Sequence, residues 1–412
     1  PMTRDISGRS RPMASWVWLT HFWSSIPELV RSAMLVAAAI AIGLVAWSGE
    51  PRLLPAAIFF PALWAIAPTR HCAAVVAAGY FLAASRGLPQ GVSNFYGAGF
   101  DAGIALWLAA SVLFVATHAL LWTERPGRGR VIRYAGIAVL LSVPPIGIVG
   151  WAHPITAAGI LFPGWKWTGL AAAAIGLLVM TTRFRPIAIL TLGGLWIWSA
   201  ANWTDPSLPE GWIGVDTEFG GSNGQYADYE QYLETINRVR EMAEAGASVI
   251  VLPESALGAW TPTIERLWTR ALGDLDSTVY GGAVIVDETG YDNVMLELSG
   301  KGVSVRYRQR MPVPVSMWQP WLGLLRTPAG ARADFFATPV VTVHGIKVAT
   351  LICYEQLLVW PILHSAMGSP DMLVAPANGW WTANTDIVAI QTAATMAWAR
   401  LFNLPLVMPI NS

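Results

Sequence analysis

A thiol and two carboxylates stand at the ends of short apolar runs in the second half of the chain. Leu252-Pro253-Glu254-Ser255 continues Ser248-Val249-Ile250-Val251, and Cys353-Tyr354-Glu355 continues the run from Ile346 to Ile352. A group just past a buried strand is held by a rigid sheet and exposed by the turn that follows, which suits chemistry. Cys353, as a thiolate, would attack a carbonyl in acyl transfer or amide hydrolysis; Glu254 would take its proton and return it to the leaving group. A cation or backbone donors would have to carry the charge of the tetrahedral intermediate. Each residue also has a plainer reading, since a cysteine after a strand fits an inert buried thiol and Glu254 fits a structural cap. The six histidines form no HExxH pair or close carboxylate cluster, so neither a metal nor another cofactor is expected.

The elements that would position these groups follow from periodicity. Residues 225–244 repeat Tyr229, Tyr232, Ile236, Val239 and Ala243 at spacings of three and four, which predicts a helix ended by Gly246. The runs 248–252, 346–352 and 372–375 read as buried strands, and 279–286, 291–298 and 303–308 as a hairpin-like group. Helical stretches at 356–367 and 385–402 alternate with them. The alternation predicts a layered α/β fold over residues 204–412.

Residues 1–203 are of another kind. The 412-residue chain is 54% apolar and only 13% charged, with no net charge, against about 25% charged in soluble domains. Apolar runs at about 30–47, 53–67, 71–85, 101–122, 134–150, 167–181 and 186–202 predict a membrane half of about seven helices, several shorter than the roughly 20 residues that cross a bilayer. Arg4, Arg9, Arg11, Arg31, Arg70, Arg125, Arg128, Arg130, Arg133, Arg183 and Arg185 fall on one side of these spans. Arg52, Arg86 and Lys166 fall on the other. The bias predicts a bacterial inner-membrane, multi-pass protein with a cytoplasmic N-terminus and residues 204–412 in the periplasm. No cleavable signal peptide is expected. With no basic stripe, nucleic acid is not an expected partner. The breaks at 87–100 and 151–166 read as connecting loops, or else as the rim of a lipid entrance or a dock for the second half. His153 reads as a structural hydrogen-bonding group.

Val251-Leu252-Pro253-Glu254, a Tyr291-Asp292-Asn293 turn, Arg306-Tyr307 leading to Val313-Pro314, Ile352-Cys353-Tyr354-Glu355 and Asn378-Gly379-Trp380-Trp381 together resemble the nitrilase, or carbon-nitrogen hydrolase, superfamily. The membrane half makes the resemblance nearest to its membrane-bound apolipoprotein N-acyltransferase-like branch. The resemblance implies an αββα sandwich and a Glu-Lys-Cys triad, with Glu254 as base, Cys353 as nucleophile and Glu355 as a supporting acid. Tyr354, Asn378 and Trp380 would line the cleft. It further implies an acyl thioester on Cys353, with membrane phospholipid as donor and a lipoprotein or other amine as acceptor. The triad lysine is missing: Gln309 stands at its position, flanked by Arg308 and Arg310 as candidate replacements or oxyanion donors. Ser316-Met317 likewise replaces the acyltransferases' Gly-Glu pair. Arginine is a poor proton shuttle and glutamine carries no charge, so the alternative expectation is a catalytically altered protein that binds a lipid or a partner. Members of the superfamily continue past the position of Asn411-Ser412, which implies either a C-terminally shortened sandwich or a divergent branch. A conjugal transfer branch found on plasmids of plant-associated bacteria has the same joined halves, and implies conjugation or envelope proteins as partners.

Overall fold

Val249-Ile250-Val251 carries apolar side chains on both faces, as a strand covered on both sides requires. In the computed structural model, which describes residues 27–97, 99–220, 225–324 and 330–412, it is the second strand of a five-stranded sheet. That sheet runs β1 (Trp212–Gly214), β2 (Val249–Val251), β3 (Thr278–Asp287), β4 (Gly290–Ser299) and β5 (Gly302–Arg308). The first three strands are parallel and the last three form an antiparallel meander. The turn expected at Tyr291-Asp292-Asn293 lies instead inside β4; the chain reverses at Asp287–Gly290, where Gly290 takes a positive φ.

The remaining strands are β6 (Val340–Val343), β7 (Ile346–Thr350), β8 (Met372–Val374), β9 (Ala377–Asn378), β10 (Leu406–Val407) and β11 (Ile410–Asn411). A second sheet has the order β10-β8-β7-β6, and β9 pairs with β11. Val249, Val251 and Tyr280 of the first sheet bury against Val348, Met372 and Val374 of the second. Helices Gln225–Glu244 and Pro262–Ala271 cover the outer face of the first sheet through Ile236, Val239 and Trp268. Helices Val359–Met367 and Ile387–Phe402 cover the second through Ile362, Ala394 and Trp398. The layers are therefore helix, sheet, sheet, helix. This is the four-layer α/β sandwich that the nitrilase resemblance implies.

Each of the seven apolar runs contains helix, yet two helices among the described residues are long and apolar enough to cross a membrane: Glu28–Ala46 and Phe100–Leu121. A third candidate arises if Arg70–Ala84 and Leu88–Tyr96, bent by 52°, count as one span. The sequence-based count of seven is thus not matched by length and composition. Prolines explain part of the difference. Pro51 and Pro55 make 51–59 a 3-10 segment, and Pro144 and Pro145 follow a helix that stops at Leu140, because proline lacks the N–H that continues a helix. Lys166–Met180 has only 15 residues. Arg4, Arg9 and Arg11 lie outside the described residues.

The breaks at 87–100 and 151–166 are packed structure. Leu88–Tyr96 is a helix against Trp381 and Ala383, whose carbonyls accept from Asn94 Nδ2 at 3.0 Å each. Residues 154–161 form short buried helices beneath Ile387–Phe402, and a Cβ on Gly159 would strike the Ala397 carbonyl. His153 accepts from Ile155 N at 3.0 Å and contacts Ala138 O at 3.2 Å, a hydrogen-bonding arrangement.

Candidate functional site

Two strand ends meet at the site. β2 ends at Val251, and Leu252 N still donates to Tyr280 O at 3.0 Å, which carries Pro253 and Glu254 across the top of β3. Gly282 lies directly beneath: a Cβ there would come within 2.6 Å of Pro253 O and 2.7 Å of Glu254 Cα. After β7, Leu351 N donates to Val374 O and Cys353 N to Pro376 O, both at 2.9 Å. Cys353 itself has φ 47°, a left-handed conformation unusual for a residue with a side chain. Such local strain accumulates at sites where the surrounding structure fixes a group's direction.

Glu355 is wholly buried beneath this turn. Its carboxylate accepts from Ile352 N and Arg310 N at 2.8 Å, from Met311 N at 3.1 Å and from Tyr307 Oη at 2.8 Å. Burial raises its pKa, while Arg310 and these donors oppose the rise. Its oxygens are fully used, and it ties the Cys353 turn to the end of β5. It positions other groups and does not face the cavity described below.

Glu254 and Cys353 do face each other. Burial pushes Glu254 up to about 7, against the thiol and the Asn293 amide, which favour its ionised form. Burial, together with the Glu254 charge, holds the thiol well above the usual cysteine range. The backbone amides of Asn378 and Tyr354 oppose that shift. At rest the cysteine is therefore a neutral thiol.

The three residues around the lysine position separate. Arg308 is 52% exposed on the outer side of β5 and pairs with Asp292. Arg310 turns inward, with Nε donating to Tyr307 Oη at 2.8 Å and the guanidinium reaching Pro361 O, Ser365 Oγ and His364. Gln309 is nearest the site, but its amide is occupied: Nε2 donates to Ile352 O at 3.1 Å, and Oε1 accepts from Asn293 Nδ2 at 3.2 Å. None of the three reaches the thiol.

Glu254 and Cys353 line a cavity of about 670 Å³ together with Tyr354, Asn378 and Trp380. Its far wall is Leu106, Ala109, Ala110 and Leu113 of the candidate span Phe100–Leu121. Phe95 stacks on Trp380 with ring centroids 5.9 Å apart and closes a third side. Ser316 and Met317 also line it. Among the described residues no lysine, arginine or histidine does.

The residue that sequence reasoning missed is Asn293. Its Nδ2 donates to Glu254 Oε1 and to Gln309 Oε1, coupling the carboxylate to the substituted lysine position. The motif containing it was read, but as a turn; its place in β4, opposite Val284, is what aims it at Glu254. Gln391 is a second omission, donating to Cys353 O at 2.9 Å from the Ile387–Phe402 helix.

A conjugal transfer protein TraB of Agrobacterium fabrum is 52% identical over 421 residues, covering 100% of both chains. A probable conjugal transfer protein TraB of Sinorhizobium fredii is 54% identical over 383 residues, covering 93% of this chain and 99% of that one. A carbon-nitrogen hydrolase of Helicobacter pylori superposes with a TM-score of 0.36 at 12% identity, over 48% of this chain and 72% of its own. The carbon-nitrogen hydrolase family model matches residues 82–400, a range that begins within the helix Arg70–Ala84. By that match, which spans more than half of its length, the chain belongs to the carbon-nitrogen hydrolase family.

Proposed function

We propose that this membrane-associated protein binds a lipid or another long-chain amphiphile in a catalytically altered carbon-nitrogen hydrolase cleft, in the service of conjugal transfer. One observation carries the reading. A single, largely apolar cavity runs from the Phe100–Leu121 span to Cys353, and no cation lines it among the described residues. An acyl chain suits such a wall, because burying each CH₂ stabilises by about 0.8 kcal/mol. Acyl transfer, by contrast, needs charge stabilisation at the developing oxyanion. The conjugation setting rests on the TraB relatives.

The membrane arrangement belongs to the same proposal. Residues 1–203 form a bundle of about seven crossings in the inner membrane, its short and broken helices sheltered by protein, and residues 204–412 lie in the periplasm. The arginine bias supports this orientation, and the helix found in each apolar run supports the bundle.

A second reading keeps the chemistry. Cys353 forms a thioester with a phospholipid acyl group and passes it to an amine, as the apolipoprotein N-acyltransferase-like resemblance implies. Glu254, near pKa 7, serves as base, and the Asn378 and Tyr354 amides stand in for the missing lysine. Glu254 beside Cys353 favours it. Incubation with labelled phospholipid, then denaturing intact-mass measurement of the native protein and Cys353→Ala, separates the two. Binding without chemistry predicts label retained by both proteins under native conditions and no adduct after denaturation. An acyl adduct present only with Cys353 overturns that reading in favour of the enzyme.

A further inference from the structure

The far end of the Phe100–Leu121 helix, past the residues that line the cavity, runs into a strongly basic turn. Trp122 caps the helix, and Arg125, Arg128, Arg130 and Arg133 follow. Arg185 begins the helix Arg185–Asn202, and Lys166–Met180 packs against both that helix and Arg128–Leu140. Burial lowers Arg130 from the usual arginine range, and the nearby Arg185 charge lowers it further. Burial lowers Arg185 as well. No ion pair among the described residues includes any of these arginines. Glu124, the carboxylate of the turn, offers Arg130 only its backbone carbonyl, which accepts from Nη2 at 2.7 Å. Two more donors of the turn lack acceptors: Arg130 Nε and Trp122 Nε1 are buried without a partner among the described residues, and Trp122 is 7% exposed.

An excess of arginine on one side of a membrane needs only exposed, solvated side chains. Arg130 and Arg185 differ, being half-buried within reach of each other's charge. Like charges and buried N–H groups without acceptors are costly together. A ligand that relieves both brings negative charge and acceptors but no donors, and phosphate oxygens match the guanidinium fork. The neighbouring surface is apolar and exposed: Ile132 lies between Arg130 and Arg133 in sequence, and Ile187 and Leu190 follow Arg185. Acyl chains cover such a face and water does not. We propose that Arg130 and Arg185 hold the phosphate of an anionic bilayer phospholipid, its chains laid along Ile132, Ile187 and Leu190. This site is separate from the cavity, and shares with the cavity reading only that residues 1–203 lie in a membrane.

The full chain, in a non-ionic detergent, is offered equimolar dioleoylphosphatidylglycerol and dioleoylphosphatidylcholine, and bound lipids are counted by native mass spectrometry. Phosphatidylglycerol should be retained about tenfold over phosphatidylcholine. In Arg130→Gln/Arg185→Gln the preference should fall to about twofold. Arg185→Gln alone should about halve it, a readout that survives if the double variant does not fold. A charge-matched control, Arg125→Gln/Arg128→Gln, should keep the preference, as should Ala110→Trp, which fills the cavity. Equal retention of the two lipids by the native protein overturns the proposal. So does an equal loss in the charge-matched control, which would show a diffuse basic surface in place of a site. Loss in Ala110→Trp would place the lipid in the cavity, overturning this proposal while the cavity reading stands. Displacement of the lipid by inorganic phosphate, at an ionic strength where chloride leaves it bound, would assign the arginines to free phosphate and overturn the lipid.

Discussion

At position 309 an amide stands where the family resemblance implies an ammonium, and burial governs how the nearby carboxylate Glu254 titrates. Glu254 titrates near 4.5 in an unfolded chain and near 7 in the fold. The fold therefore holds the proton more tightly, and the stability associated with it is full below pH about 4.5 and is lost as pH rises through about 7. Glu254→Gln cannot ionise and should remove that loss, on the order of 3 kcal/mol at the alkaline end. Thermal unfolding in detergent from about pH 5 to 8 checks it: the variant should gain on the native protein as pH rises, and parallel curves would contradict the shifted carboxyl. Glu355→Ala has the opposite character. It leaves the Ile352, Arg310 and Met311 amides and the Arg310 guanidinium without their buried acceptor, so it should cost about 3–5 kcal/mol. A loss below about 1 kcal/mol in the same assay would show that the carboxylate is not the anchor described here. These roles were unevenly legible in the sequence. Glu254, Cys353 and Glu355 announce themselves at strand ends. The separate fates of Arg308, Gln309 and Arg310 depend on strand pleat and on where β5 ends, and a run of adjacent polar residues does not reveal those.

The elements transmit position through close backbone contact. Gly282 lets β3 pass under the Pro253–Glu254 peptide, and any side chain there must push that loop away. Gly282→Ala should cost about 1–3 kcal/mol, and it should move Glu254 away from Cys353. Iodoacetamide labelling of Cys353 reads the second effect: the rate should change from that of the native protein at equal folded fraction, and an identical rate would show that the loop is not held by this contact. Strand and helix boundaries were readable because buried strands are short apolar runs with turn residues between them. The Tyr291–Asn293 segment misled because its polar residues look like a turn. Within β4 the acceptors for Asn293 Nδ2 are Glu254 and Gln309, apart from it in sequence. The helix Leu88–Tyr96 was hidden for a related reason. Its apolar face, with Val92 and Phe95, is spent on the second half of the chain and on the cavity, not on a regular bundle.

Across the whole molecule the two halves share one core. Ile387–Phe402 buries Trp398, Leu401 and Ala394 in the same cluster as Phe60, Tyr80 and Leu161, and Arg86 pairs with Asp386 across the same junction. Residues 204–412 made alone should therefore aggregate; recovery of a soluble, cooperatively unfolding fragment would contradict a shared core. Composition marked the first half as apolar but overstated its regularity, since apolar runs do not reveal which helices bend, shorten or stop at proline. The central claim concerns the cavity that this junction encloses. Native mass spectrometry of purified protein, before and after Ala110→Trp, tests it most directly, because Ala110 lines the cavity from the Phe100–Leu121 helix, distant in sequence from Glu254 and Cys353. The account predicts a co-purifying amphiphile on the native protein and on Cys353→Ala, and its loss in Ala110→Trp. An empty native protein, or equal occupancy with the cavity filled, would contradict it.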